Sequence, residues 1–381
     1  MKKRLLFLTG SRGEWGYIRP ILRLCQRDID VDYSLCATNM HLLPVFGHSI
    51  KEIEADGFTV HHRLHMALDG YSHVSMVKSL GLLILSLADI IASDPPDWIV
   101  LAGDRGEQLA GAIVGAFTNV PVAHIQAGEL SGNIDGMTRH AIGKYVHLHL
   151  CSNEDAYNRL VSLGEQTTRI HNVGAPQLDE LLEGYYSSAN ELNNFFTFDV
   201  NSGFFLVVQH PITEDHQLAS VQIRETISAL NQFTQPKIVV CPNNDAGSHL
   251  IRDGIHRYKK GSYHIVPNLP RRDYLGLLKL ATCLIGNSSS GILEAPTFKI
   301  PAINIGRRQA GRLQATNVIN SEFDATKITA AIRSAQSPSF IEEISRTCFN
   351  PYGDGRSSKK IFDLLRTTKI NDALLTKRLT Y

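Results

Sequence analysis

The sequence predicts an α/β protein of two Rossmann-like, doubly wound domains facing across a cleft. Three observations carry this. Apolar runs such as "RLLFLTG", "WIVLAGD", "FFLVVQH" and "CLIGNSS" are continuous rather than alternating, the pattern of parallel strands covered on both faces. Helical stretches such as "RGEQLAGAIVGAF", "NEDAYNRLVSLG" and "RRDYLGLLKLA" fall between them with short connections, the rhythm of βαβ units. The rhythm stops once, between Pro176 and Ser202, where "LDELLEGYYSSANELNNFFTFDVNSG" is polar and rich in turn residues.

In chain order, strands are expected at "RLLFLTG", "DYSLCAT", "WIVLAGD", "VPVAHIQ", "HLHLCSN" and "IHNVGA" before the break. After it they are expected at "FFLVVQH", "KIVVCPN", "YHIVPN", "CLIGNSS" and "PAINIG". The break puts the first domain at 1–176 and the second at 177–360. The helical segment 361–381 is expected to pack back on the first domain. A chain of 381 residues is long enough for two cores of ordinary size.

Composition narrows the partners. Lys plus Arg (38) nearly cancels Asp plus Glu (37), so no field draws the chain to nucleic acid or an anionic membrane. Six scattered cysteines without a C-x-x-C pair read as reduced thiols in a cytoplasmic protein. The start, "MKKRLLFLTGSRG", has an apolar part too short for a signal peptide and reads as a first strand. The longest apolar stretch, "LGLLILSLADII", is broken by Ser86 and Asp89; it reads as a core helix, too short to span a bilayer.

In a doubly wound sheet the loops at the carboxyl ends of the strands face the ligand. In the second domain, "IGNSSSGILEA" follows a strand with small hydroxyl residues and a helix start near Ser290. Free N–H groups and the helix dipole there suit a diphosphate, with Ser288 and Ser289 adding hydroxyl donors and Glu294 an acceptor for ribose. The plainer reading is a serine N-cap. In "NIGRRQAGR", Arg308 and Arg312 are candidate phosphate clamps, or members of a solvated basic loop. His210 in "VVQHPITED" and Asn243 in "CPNNDAGS" end strands, placing a histidine and an amide where a nucleotide would lie.

The first domain offers charge instead. "TGSRGEWG" lacks G-x-G-x-x-G and carries Arg12 and Glu14. "LAGDRGE" ends a strand at Asp104; "HIQAGELSGNIDGMTR" ends the next and holds His124, Gln126, Glu129, Asp135 and Arg139. Neighbouring strand ends would bring Asp104, Glu129 and Asp135 together, and clustered carboxylates suit acid and base work. A helix cap at Asp104, or an Arg139–Asp135 pair, is the structural alternative. The histidines of "HHRLH" and "HLH" lack carboxylates or cysteines at ligand spacing, so no metal site is expected.

The motifs "GDR", "HI-x-x-GE-x-SG-x-ID", "RHAI-x-K", "QHP-x-T-x-D", "PN-x-DAGS", "IGNSS-x-G" and "IN-x-G-x-RQ-x-GR" are specific in combination. From "TGSRGEWG" to "YGDGRSSKKI" the chain resembles the hydrolysing UDP-N-acetylglucosamine 2-epimerases of the sialic acid and legionaminic acid pathways. The resemblance implies a GT-B-like fold and an active site between the domains. It implies a UDP-amino-sugar substrate, no cofactor, and a homo-oligomer, dimer or tetramer. The implied reaction eliminates UDP to a glycal, rehydrates it, and frees the 2-epimeric sugar. UDP-N-acetylglucosamine and UDP-N,N'-diacetylbacillosamine are the two substrates it suggests.

Carried over by residue, it puts Arg12, His210, Asn243, Ser288, Ser289, Glu294 and Arg308 on nucleotide-contacting positions. It puts catalytic carboxylates at Asp104 and Asp135, with His124 and Arg139 at the sugar. Gln126 stands where members often carry a catalytic glutamate, and Glu129 remains ionisable beside it. A glycosyltransferase of the same shape, or a nucleotide-sugar binder weakened at Gln126, remains open.

Overall fold

A computed structural model of the chain describes residues 2–44, 47–68, 72–131, 134–243 and 245–380. The chain forms two compact units. The first comprises Met1–Leu130, Asp135–Glu183 and Tyr352–Tyr381, the second Ser131–Ile134 and Gly184–Pro351.

The first unit starts with β1 (Lys3–Thr9), α1 (Arg12–Arg27), β2 (Val31–Thr38), α2 (Ile50–Ala55), β3 (His62–Leu64) and α3 (His73–Ser93). It continues with β4 (Trp98–Ala102), α4 (Gly106–Phe117), β5 (Val122–Ile125) and α5 (Ile134–Tyr145). Then come β6 (Leu148–Cys151), α6 (Glu154–Ser162), β7 (Ile170–Asn172) and α7 (Gln177–Leu182). All seven strands are parallel, in the order β3-β2-β1-β4-β5-β6-β7.

The second unit holds α8 (Ala189–Leu192), β8 (Phe205–Val208), α9 (Ala219–Leu230), β9 (Lys237–Val240), α10 (Ser248–Tyr258) and β10 (Tyr263–Val266). Next are α11 (Arg271–Leu280), β11 (Cys283–Gly286), α12 (Ser290–Leu293), α13 (Ala295–Phe298) and β12 (Ala302–Ile305). It ends with β13 (Val318–Ser321), α14 (Ala325–Ala335) and α15 (Pro338–Thr347). Its six parallel strands run β10-β9-β8-β11-β12-β13. The chain then returns to the first unit with α16 (Ser357–Thr367) and α17 (Asp372–Leu375). The expected class, two parallel-sheet α/β domains, is the observed one.

Packing follows from the apolar pattern. Helix α1 starts at a capping box, Ser11 with Glu14, and buries Trp15, Ile18, Ile21, Leu22 and Cys25 on one face of the sheet. Ile361, Phe362 and Leu365 of α16 join the same cluster. The other face is covered by α3, α4 and α5 through Leu87, Ile91, Ala112, Val114 and Ile142. The tail beyond α16 is held by polar bonds: Arg169 donates to the carbonyls of Ala373, Leu374 and Thr376. Lys377 donates to the carbonyl of Val146, just past α5, and pairs with Glu165 at 2.7 Å.

Three expectations change. Strands β3 and β13 lie where the sequence predicts none: they are edge strands of three and four residues, too short and polar for an apolar run to show. The end of the chain is two helices, since Thr368 leaves the helical conformation. The apolar stretch at residues 80–91 is not a buried core helix. It belongs to α3, 21 residues long with a mean hydropathy of 1.9 over its most apolar window, and so long and apolar enough to span a bilayer by those measures. Counting only residues 80–91 missed its first two turns. Its inner stripe, Ser79, Leu83, Leu87 and Ile91, is buried, but most of its surface is not.

One buried ion pair fastens α1 to α7. Arg19 donates from Nε and Nη2 to Glu180 at 2.9–3.0 and 2.5 Å and from Nη1 to Asp56 at 2.8 Å. The Arg19 and Glu180 side chains are each 1% exposed. Glu180→Ala should therefore destabilise the protein by on the order of 3 kcal/mol, because it strips a buried guanidinium of its main partner. Arg19→Met with Glu180→Met should recover most of that loss in the denaturant midpoint.

Candidate active site

Strand order reverses between β1 and β4 in the first unit and between β8 and β11 in the second. At such a reversal adjacent loops diverge to opposite faces of the sheet and leave a crevice at the carboxyl ends of the strands. The chemistry-bearing loops of both units start at these points.

In the first unit one guanidinium ties two strand ends together. Arg139, on α5, donates to the Asp104 carboxylate just past β4. It also donates from Nη1 to the Gln126 carbonyl just past β5, at 2.6 Å. Gln126 takes a left-handed backbone, φ +61°, uncommon for a residue with a side chain. Its side chain is buried, and Nε2 has no hydrogen-bond partner. Asp135 lies one turn before Arg139, on the same side of α5. Arg139 therefore serves Asp104 rather than acting only as a local partner for Asp135.

His124 is sealed inside β5. Its Nε2–H donates to the Gly103 carbonyl at 2.6 Å, and burial pushes the imidazole down to about 3, so it is neutral at physiological pH. Glu129 is buried as well, accepting from Asn153, the N-cap of α6, at 2.5 Å. Of the three expected acids, Asp104 is thus tied to the helix carrying Asp135, while Glu129 is fastened to a different element. Arg12 opens α1 and pairs with Glu52 at 3.3 Å. The suspected histidine clusters have structural partners: His61 and His147 accept from the backbone N–H groups of Leu35 and Val122, and His149 meets Glu165. Among the described residues no three His, Cys, Asp or Glu side chains gather as a metal site.

At the β1/β4 reversal Glu14, already marked in "TGSRGEWG", is joined by Glu107, which was not singled out from the sequence. Glu14 accepts from the N–H groups of Gly10 and Ser11 at 2.5 and 3.1 Å. Glu107, in the first turn of α4, accepts from Asn39 and lies 3.6 Å from Arg105. A Cβ on Gly10 would stand 2.8 Å from the Glu107 carboxylate, so a side chain there would have to displace that acid. Both acids are 2% exposed. Burial, reinforced by the charge of Glu107, pushes the Glu14 carboxyl up to about 8. The pair joins the loops after β1, β2 and β4.

In the second unit Asn287 is the hub, and it too was not singled out. It is fully buried, accepts from the His210 N–H at 2.7 Å and donates to the His210 carbonyl at 2.9 Å. Its own carbonyl accepts from Arg308 at 3.3 Å and Gln309 at 2.9 Å. His210 Nδ1 accepts from the Asn243 N–H at 3.2 Å, which leaves the ring proton on Nε2. Just before Asn287, Gly286 has φ +135°, and a Cβ there would stand 2.0 Å from the Val208 carbonyl oxygen. The loops after β8, β9, β11 and β12 are thereby locked to each other.

The helix after "GNSS" is shorter than expected. Helix α12 has four residues, and Ser289 at its N-cap makes no side-chain cap bond. A macrodipole grows with aligned peptides, so the anion-binding capacity here rests on individual N–H groups and side chains. Ser288 Oγ accepts from the Ser290 N–H at 3.3 Å. Glu294 is held from one side by Arg271 at 3.5 Å, while its Oε2 is buried without a partner. Arg312, expected beside Arg308 as a clamp, is instead buried against Gln309 at 3.0 Å.

The model for UDP-N-acetylglucosamine 2-epimerase matches residues 23–366. The chain belongs to the UDP-N-acetylglucosamine 2-epimerase family. It is 34% identical to the UDP-N,N'-diacetylbacillosamine 2-epimerase (hydrolyzing) of Legionella pneumophila, over 99% of both chains. It is 32% identical to the UDP-N-acetylglucosamine 2-epimerase of Neisseria meningitidis, over 94% of both. Its fold matches a crystal structure of UDP-GlcNAc 2-epimerase from Neisseria meningitidis bound to UDP-GlcNAc with a TM-score of 0.82 and 18% identity, over 95% of this chain and 99% of that one. Within this family member, the buried Glu14 makes a pH-dependent contribution whose sign is fixed. Its folded value of about 8 lies above the ordinary 4.5. Between those values the folded protein keeps a proton that the unfolded chain releases, so stability falls as pH rises through that window. Glu14→Gln accepts from Gly10 and donates towards Glu107 without titrating. Its stability relative to the parent should rise from about pH 5 to about pH 8, read by thermal melts across pH.

Proposed function

We propose that the chain is a hydrolysing nucleotide-sugar 2-epimerase acting on a UDP-activated 2-acetamido sugar. The observation that carries this is the end-to-end match with the Legionella pneumophila protein, whose name specifies a hydrolysing 2-epimerase. UDP-N,N'-diacetylbacillosamine and UDP-N-acetylglucosamine are the candidate substrates, yielding 2,4-diacetamido-2,4,6-trideoxymannose or N-acetylmannosamine for a sialic or legionaminic acid pathway. We place the enzyme in the cytoplasm as a homo-oligomer; its six unpaired cysteines suit a reducing compartment.

In this reading, removal of the C2 proton accompanies departure of UDP from C1 and leaves a glycal. Water then adds at C1, and a proton returns to the opposite face of C2. Asp104 and Asp135 are the proton-transferring carboxylates. Arg139 orients Asp104 and, through the Gln126 carbonyl, the loop after β5. Gln126 is a positioning residue whose unsatisfied Nε2–H suits a sugar hydroxyl or acetamido oxygen. Glu129 and His124 shape the loop from beneath. In the second unit Arg308, Ser288, Ser289 and the N–H groups about α12 take the diphosphate. Glu294 takes the ribose hydroxyls through its free oxygen, and His210, Asn243 and Arg12 complete the nucleotide contacts.

Turnover in deuterium oxide tests the reaction. Both UDP sugars are supplied, and NMR should show UDP and a free C2-inverted sugar carrying deuterium at C2. Protium at that position would exclude elimination with reprotonation from solvent. A parent that consumes neither sugar, together with an active Gln126→Glu variant, would identify a binding protein instead. Asp104→Asn should lower turnover roughly a hundredfold or more with little change in UDP affinity. Arg308→Ala should weaken UDP binding by about 2 kcal/mol, and calorimetry in EDTA should leave parent binding intact.

A further inference from the structure

Next to the loop that carries Arg308, the second unit opens a crevice of about 900 Å³, and none of the residues given a role above lines it. It lies at the carboxyl ends of β8, β12 and β13, between α9 and α14, which cover the same face of the sheet. Ile212, Ile319, Phe323, Ala330 and Ala331 make the lining largely apolar. Gly306, at φ +77°, lets the Phe323 ring lie against the loop after β12: a Cβ there would come 2.3 Å from that ring. The volume falls within the roughly 300–1,000 Å³ of small-molecule sites.

The polar groups of the lining narrow what would fit. Two ion pairs stand in it, Arg307 with Asp215 at 3.0 Å and Lys327 with Glu322 at 2.7 Å. Their charges cancel, so the lining has no net charge to draw an ion. Gln222, on α9, is different. It is buried, and among the described residues its side-chain oxygen has no hydrogen-bond partner. A buried acceptor left unpaired costs stability, and here nothing in the chain offsets it. Rotation about the last, soft torsion of the side chain can turn either atom of the amide towards the crevice. A carboxamide carries an acceptor beside a donor. The group that satisfies both at once is another amide edge, an N–H next to a C=O.

We propose that this crevice is a second ligand site, taking an uncharged, flat, largely apolar molecule with a lactam edge. Gln222 pairs with the N–H and C=O of that edge through two hydrogen bonds. Ile212, Ile319, Phe323 and Ala330 take the faces of the ring. The crevice shares with the proposed diphosphate site only the loop after β12, to which it contributes Gly306 and Arg307. Its ligand and UDP therefore bind at the same time, and the site stands whether or not the chain is an epimerase.

A matched pair of probes tests this on the full chain. 2-Quinolinone is flat, uncharged at neutral pH and has the lactam edge; 1-methyl-2-quinolinone lacks the N–H. Ligand-observed NMR titrations should show the first bound about tenfold more tightly than the second. Gln222→Leu removes the amide at similar size, and the preference should vanish with it. Ala330→Trp, from an exposed position on α14, should block both probes while thermal melts stay native. Saturating UDP should displace neither. No binding of 2-quinolinone up to its solubility limit would overturn the site. So would a preference that survives Gln222→Leu, binding that ignores Ala330→Trp, or displacement by UDP. A chain that binds the probes as expected and fails to bind UDP would support this site while removing the nucleotide reading.

Discussion

A parallel sheet that reverses its strand order has to separate neighbouring loops, and both units put their most constrained polar groups where that happens. At the β1/β4 reversal the buried residues are the carboxyls of Glu14 and Glu107; at the β8/β11 reversal they are Asn287 and the His210 backbone. Burying such groups is costly unless they bond to the surrounding backbone. They do, and those bonds fix the loops: Gly10, Ser11 and Asn39 around the acids, and the loops after β9 and β12 around Asn287 and His210. The rigidity a ligand site requires thus comes from polar groups beneath the loops rather than from the exposed residues.

This separation explains what the sequence disclosed. Strands such as β1, β4, β8 and β11 are buried on both faces, so hydrophobicity alone marks them. Edge strands β3 and β13 have no such requirement, and neither shows an apolar run: β3 is only His62–Leu64, inside "HHRLH". Most candidate site residues were legible because they end recognisable strands. Glu107 and Asn287 were also in view, inside "AGDRGEQ" and "GNSSSG". Their importance depends on which loops are neighbours, and strand order is not written in local pattern. Glu129 shows the converse: strand-end position suggested convergence with Asp104, while the side chain turned to the N-cap of α6.

Gln126 shows how a loop can be fixed independently of the side chain it carries. Its backbone carbonyl accepts from Arg139 whatever its side chain, so the placement of the amide is set by the loop. The left-handed backbone there is retained because the guanidinium and the buried loop over-determine it. Substitution changes the chemistry of one side chain and leaves the architecture of the loop alone.

The first unit is completed by residues 352–381, with the whole second unit lying between its segments in sequence. During synthesis the apolar face of α1 therefore emerges long before α16, which covers some of it, has been made. At roughly 5–20 residues per second the wait is on the order of twenty seconds to a minute. The second unit, nearly contiguous in sequence, has no such delay and is free to fold while the first is unfinished. The nascent chain thus carries a half-closed hydrophobic core until its last helices leave the ribosome. A chaperone able to occupy that face, or slowed translation of the second unit, would bear on the yield of native protein more than any change to the reacting groups.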